Sequence, residues 1–508
     1  MHVQHRYQSQ YEGVQMKDVR KFIPLLKSKV DPVEYGVYPL SIHTSDETTV
    51  FITRIRGEKH IVSVGPSIGL EGTSERIEDK EVIIGELNSA NAAVLREVFP
   101  FTAPSRVLSK ERSIGCGDRL GLASAGHTRV FTEYDAYPIL AQQSMRELNL
   151  TRRSYQEVLD AATFAVFQEG YKKGWGADGD HLKTSEEIQH ALSVGYTMIT
   201  LDCSEHMNNE FELMDTAELD ARYEPDAQVE KEYIGREIVL SGGVSFTYSE
   251  EEVKRMVMTY RDVLTHAQNI YDTFFRDGTY DADFEISIDE TTTTTTVQEH
   301  YFVANELIKR GVSFATIAPR FCGEFQKGVD YIGNVEDFER ELIVHQAIAA
   351  HFGYKLSLHS GSDKFSVFEI FGRITGGRFH VKTAGTNWLE AMKLVAVKAP
   401  DLYRRVHAYA LSKFDEVTQY YHVSTDITRI PDLQSLSDSE LVKLFEHNDS
   451  RQLIHITYGP ILTDTDAGGN PLFADDLFAL WDEYEEDYAH LLFTHISRHL
   501  YELYRHIN

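Results

Sequence analysis

WGADGDHLKTSEEIQHALSVGYTMITLDCS, residues 175–204, contains a strand, a helix and a second strand in one short run. Trp175–Leu182 reads as a strand that ends in ionisable residues. Ser185–Ser193 repeats apolar residues at helical spacing, with Thr184 or Ser185 as its N-cap, and Met198–Ser204 is β-rich again. Strands that alternate with helices imply a parallel sheet.

The pattern continues in both directions. Arg112–Asp118, Pro138–Ser144, Phe284–Glu290, Phe314–Arg320, Lys355–Ser360 and Arg378–Thr383 bring the candidate strands to eight, with amphipathic stretches such as Tyr155–Lys172 between them. Eight repeats predict closure into an α/β TIM-type (β/α)8 barrel. The expected organisation is an accessory region with β-hairpin pieces over 1–105, a catalytic barrel over 106–400 and a helical extension over 401–508. Thr48–Arg56, His60–Gly65 and a helix near Ser89–Val98 fill the first region. An acidic insertion of about 205–250 precedes a helix at Glu250–Phe275. The extension holds one β piece, Leu453–Tyr458, and a helix from Asp475 to His506. Thr291–Thr296 reads as an extended loop after strand five.

A chain of 508 residues with 42% hydrophobic and 11% aromatic residues buries a substantial core. Its 50 Lys and Arg stand against 79 Asp and Glu, for a formal charge of −29, which argues against nucleic acid and anionic membranes as partners. The three cysteines, Cys116, Cys203 and Cys322, are widely spaced and indicate neither a disulfide framework nor a structural zinc site. No apolar run reaches the roughly 20 residues of a membrane span, and Met1–Lys29 lacks an apolar signal core, so a cytoplasmic location is expected.

Barrel active sites lie at the carboxyl ends of the strands. Those ends are crowded here with Asp118, Arg119, Asp178, Asp180, His181, Lys183, Asp202, Asp289, Glu290, Arg320, His359 and Lys382. An Asp/Gly turn capping the next helix would explain Ser185 but not His181 and Lys183. An imidazole beside carboxylates suits a divalent metal, with Asp180 as ligand or base. His181 and His359 are the best-placed ligands. His380 shares a face with Lys382 and is the third choice, with Glu324 and His455 as rivals. Zn, Mn, Fe, Co and Ni all remain open. The other histidines, including His495, His499 and His506, are expected at the surface.

Glu290 is either the second acid/base or a salt-bridge partner of Arg320. The loops His359–Lys364 and Thr383–Asn387 follow strands seven and eight, the usual anion site of barrels. Ser360, Asp363, Lys364, Lys382, Thr383 and Thr386 are therefore candidates for an anionic substrate group, and Asp118, Arg119, Lys183 and Arg320 complete the substrate-binding set.

GCGDRLG (115–121), ADGDHLK (177–183), APRFCGEFQKGVDY (318–331), LHSGSDKF (358–365) and TAGTNW (383–388) together resemble the tagaturonate epimerase family across most of the chain. The resemblance implies a divalent-metal isomerase that interconverts tagaturonate and fructuronate without nicotinamide, and no GxGxxG follows a strand here. The inverted carbon of such a substrate lies β to the ketone, so either retro-aldol cleavage and re-addition or deprotonation and reprotonation must be assisted, with Asp180 and Glu290 exchanging protons. The expected partner is a small-molecule sugar acid, and a homo-oligomer stays open. An aldose–ketose isomerase on a metal barrel is the alternative, followed by a glycosidase or a sugar-acid binding protein.

Overall fold

A computed structural model describes residues 32–507 apart from 78, 290–292 and 422. The described residues form two compact units. One comprises the chain up to Ala103 together with Leu159–Lys173, and the other comprises Pro104–Val158 and the chain from Gly174 onward.

The first unit is built on a five-stranded antiparallel sheet whose longest strands are Thr48–Ile55, Glu58–Val64 and Lys80–Glu86. Its inner face, with Val50, Ile52, Ile61 and Ile83, packs on Leu95 of the helix Ser89–Val98 and on Phe164 and Phe167. Asn88 caps that helix by accepting the Asn91 N–H, which fixes where it begins.

The second unit is the barrel. Its strands are Arg112–Gly115, Tyr137–Ser144, Gly176–Leu182, Met198–Asp202, Asp283–Ile288, Thr316–Pro319, Lys355–Leu358 and Phe379–Lys382. Each pairs in parallel with the next, and the eighth returns to the first, which closes the barrel. The helix after the third strand starts at Thr184, whose hydroxyl accepts from the Glu187 N–H while the Glu187 carboxylate accepts from the Thr184 N–H. Ile286, Ile317, Leu356 and Val381 occupy alternate positions on their strands and are fully buried.

Between strands four and five, two short helices, Thr216–Arg222 and Ala227–Tyr233, and a small hairpin precede the helix Glu250–Phe274. In the C-terminal part the expected strand at Leu453–Tyr458 is instead helical, within Asn448–Ile456 and Tyr458–Thr463. Its apolar residues bury against the helix Thr386–Lys398, where Trp388 Nε1 donates to the Ile454 carbonyl at 2.7 Å, and tertiary packing overrides the β-branched composition. The expected helix from Asp475 onward is two, Ala474–Glu483 and Glu485–Tyr504. No helix among the described residues is long and apolar enough to cross a membrane.

Candidate active site

Period-two alternation decides which side chains enter the barrel. Those that enter are charged or polar. Lys382 Nζ lies 2.7 Å from Asp180 Oδ1, 2.9 Å from Glu285 Oε1 and 3.0 Å from Asp178 Oδ2, and also donates to the Thr200 hydroxyl. One ammonium thus holds three carboxylates that come from two different strands. Lower in the barrel, Lys355 donates to Ser113 Oγ, and Ser113 Oγ is 3.0 Å from His380 Nδ1.

Burial alone would strip Lys382 of its proton, but Asp178, Asp180 and Glu285 hold its pKa well above the usual value. Burial likewise pushes Asp180 and Glu285 up. Lys382 and the adjoining imidazoles outweigh it and keep both carboxylates well below their ordinary range. Asp178 moves upward, because burial at the barrel centre exceeds the attraction of Lys382.

Two histidines stand above this layer with their rings in edge contact, 4.8 Å between centroids. His359 Nε2 bonds Glu285 Oε1 at 2.8 Å, and its Nδ1 faces Asp289 Oδ2 at 3.2 Å, buried and off hydrogen-bond alignment. His181 Nδ1 bonds Asp180 Oδ1 at 2.9 Å, and its Nε2 faces Asp289 Oδ1 at 3.9 Å. Each imidazole is therefore fixed through one nitrogen by a carboxylate and turns the other toward Asp289. That is how histidines are oriented around a metal ion. The ligand atoms of His181, Asp289 and His359 all lie within 4.8 Å of one another, so the residues present fit a divalent cation. Burial lowers the His181 pKa, but Asp180 more than reverses this and raises it to about 10.

Alternation would send His181 away from Asp180, its neighbour in sequence. A bulge corrects this. Gly179 pairs Ile199 and Leu182 pairs Leu201, so the third strand spends one extra residue there, and His181 takes left-handed backbone at φ 55°. The conformation is unfavourable for a residue with a Cβ, at a cost of about 1 kcal/mol, and it brings the ring into the site.

Asp180, His181, His359 and Lys382 are thus brought together. His380 sits lower, on Ser113, and the carboxylate that joins the two upper histidines is Asp289. Glu290 lies outside the described residues. Several other sequence candidates are engaged elsewhere. Lys364 is fully buried and donates to the carbonyls of Gln326, Val329 and Ser362 at 2.7–2.9 Å, leaving no proton for a substrate. Asp363 pairs with Arg451 and with His495 Nε2 at 2.7 Å. Asp118 accepts from the N–H groups of Leu120, Gly121, Ala123 and Ser124 and shapes its own loop.

Thr383 and Thr386 donate to carbonyls of Gly115 and Thr383, and Ser360 sits at φ 49° in its turn. Lys183 faces Glu205 and Asp202, Arg119 bonds Glu147, and the Arg320 N–H donates to Thr295. His455 is enclosed among Gly328, Gly385 and Arg119, and the Glu324 backbone pairs with Ile332. His495 and His499, expected at the surface, are half-buried and buried on the inner face of the helix Glu485–Tyr504, because Asp363 and Glu390 receive His495 there. Glu285 was missed as a site residue, although it lies four residues before Asp289, an even spacing that puts both on one face of strand five and its continuation.

A closed parallel barrel with an ionised, polar interior and a His/Asp/His rim is the architecture of a TIM-type barrel enzyme. The family model for tagaturonate epimerase matches residues 38–503, and the chain belongs to that family of isomerases. It is 39% identical to the tagaturonate/fructuronate epimerase of Thermotoga maritima over 474 residues, 92% of this chain and 96% of that one. Crystal structures of the fructuronate-tagaturonate epimerase UxaE from Cohnella laeviribosi, native and with one glycerol, superpose with a TM-score of 0.91. They are 46% identical and cover 96% of this chain and 99% of theirs.

Proposed function

We propose that this chain interconverts tagaturonate and fructuronate by retro-aldol cleavage and re-addition, with a divalent metal held by His181, Asp289 and His359. The observation that carries the reading is the paired orientation of the histidines, each tied to a carboxylate on one side and open to Asp289 on the other. Such an ion, when bound, supplies Lewis-acid stabilisation of charge on the sugar oxygens.

Asp180 is the base. Lys382 and His181 both occupy its Oδ1, its Oδ2 meets no donor among the described residues, and its low pKa keeps it ionised. It accepts the proton of the hydroxyl on the carbon that inverts. That oxygen becomes a carbonyl, the bond to the neighbouring carbon breaks, and the electron pair passes to the ketone to leave an enediolate. The aldehyde turns over, the bond re-forms on its other face, and the new alkoxide takes a proton back. Glu290, which follows strand five, is proposed as the group that serves the opposite face. Lys382 holds Asp180 and Glu285 in place through both half-reactions.

Incubation of metal-loaded protein with tagaturonate, followed by separation of the products, tests this function. Fructuronate should appear and the reaction should run in reverse. An aldose product, or no product, would contradict it.

A further inference from the structure

A second cluster of cations, Arg119 and Lys327, follows the first and sixth strands with one carboxylate, Glu147, on Arg119. Arg119 follows the first barrel strand. Its Nε and Nη2 donate to Glu147 Oε1 at 2.9 and 2.6 Å, and its guanidinium lies over the Tyr458 ring at 4.0 Å. Its Nη1 is buried with no acceptor. His455, from the C-terminal helix Asn448–Ile456, is fully buried, and neither of its ring nitrogens has a partner.

Two glycines keep room around that ring. A Cβ on Gly385 would lie 2.4 Å from His455 Cε1, and one on Gly328 would lie 3.3 Å from His455 Cβ. Lys327 precedes Gly328 in the loop after strand six, within electrostatic reach of Arg119, Glu147 and Asp180. Its ammonium makes no hydrogen bond or ion pair among the described residues.

Glu147 can neutralise only one of the two cations, Arg119 and Lys327. The other has no carboxylate bonded to it among the described residues, and Arg119 Nη1 and the His455 ring beside it are buried without partners. Buried polar groups are ordinarily paired, so donors left open around an unneutralised cation suit an anion.

We infer that Lys327, Arg119 and His455 receive the carboxylate of the sugar acid, an assignment that rests on the epimerase reading above. The carboxylate of tagaturonate is two carbons from the carbon that inverts, so its subsite must adjoin the base that serves the hydroxyl there. The cluster meets that requirement through Gly385, which lies against His455 and Arg119 and follows Lys382, the partner of Asp180, by three residues. Lys364, which the sequence had offered for this role, spends its protons on three backbone carbonyls. Lys327 therefore separates acid from neutral sugars, and Arg119 and His455 orient the group it attracts.

The test compares wild type with Lys327→Met and Lys327→Arg on tagaturonate. Alongside, the neutral ketose with a hydroxymethyl group in place of the carboxylate serves as a competitive inhibitor. Lys327→Met should raise KM for tagaturonate by about 100-fold, with a smaller fall in kcat, because the charged partner of a carboxylate is lost. Lys327→Arg should recover most of that loss. The inhibition constant of the neutral ketose should stay within about twofold of wild type, since it never used the charge. Should Lys327→Met fail to fold, Lys327→Gln carries the same expectation. A KM unchanged by the substitution, or equal losses for the charged and neutral sugars, would overturn the assignment while leaving the epimerase reading intact. Wild-type protein that leaves tagaturonate unchanged would instead overturn the epimerase reading itself.

Discussion

Glu285 Oε1 and His359 Nε2 are 2.8 Å apart, both buried inside the barrel, and this bond decides which nitrogen of His359 faces Asp289. Glu285→Gln removes the charge and can flip the imidazole. Metal affinity should fall about 10- to 100-fold, as for other outer-shell carboxylates, with little change in secondary structure. Metal titration followed by circular dichroism checks both halves of that expectation.

Lys382 is the common partner of Asp178, Asp180 and Glu285. Lys382→Met leaves three buried carboxylates without their cation, and breaking a buried pair from one side costs roughly 3–5 kcal/mol. Denaturant unfolding should show that loss at neutral pH. The sign with pH follows. Without Lys382 the carboxylate pKa values rise in the fold, so the variant should regain stability relative to wild type as pH falls and the groups protonate. Its turnover should be lost.

His495 bridges Asp363 at 2.7 Å and Glu390 at 3.3 Å, with Arg451 and His499 also against Asp363. Burial lowers its pKa, but the two carboxylates raise it above the ordinary imidazole value. A group raised on folding contributes its full stabilisation below its unfolded value and loses it as pH climbs through the folded one. His495→Gln should therefore lower Tm most at about pH 6, below the unfolded value, and the gap to wild type should narrow as pH climbs through the raised folded value. A gap constant from pH 6 to pH 9 would show that His495 acts by packing and not by charge.

How much of this was legible in the sequence depends on range. Strand and helix alternation is local, and each barrel strand is readable in sequence because its apolar and polar residues alternate in short runs, as in Phe284–Glu290. The ionisable strand ends were readable for the same reason, so Asp180, His181, His359 and Lys382 could be named. The bulge that turns His181 inward was not, since it depends on pairing with the neighbouring strand. Nor was the fate of Lys364, whose three acceptors come partly from Gln326 and Val329, far away in sequence. His495 looked like a surface residue because its partner Asp363 lies in a loop more than a hundred residues earlier. Leu453–Tyr458 misleads because its β-branched residues answer to a helix interface that only the fold supplies.

Cleavage of a carbon–carbon bond leaves the hydrogen on the inverted carbon untouched. Turnover in deuterated water should therefore give product with protium at that carbon. Asp180→Asn and Glu290→Gln should each cut kcat by about 100-fold or more, since each serves the hydroxyl proton in one half-reaction. Deuterium entering that carbon at the rate of turnover would replace cleavage by deprotonation and leave the His/Asp/His centre as it stands.

The central claim is that the centre formed by His181, Asp289 and His359 runs the epimerisation through a bound divalent ion. Its most direct test is turnover of tagaturonate by protein stripped with a chelator, with metal content verified by elemental analysis. Stripped protein should keep its fold, because the large core does not depend on the ion, and should lose turnover until a divalent metal is added back. Full turnover by protein verified to be metal-free would contradict the claim.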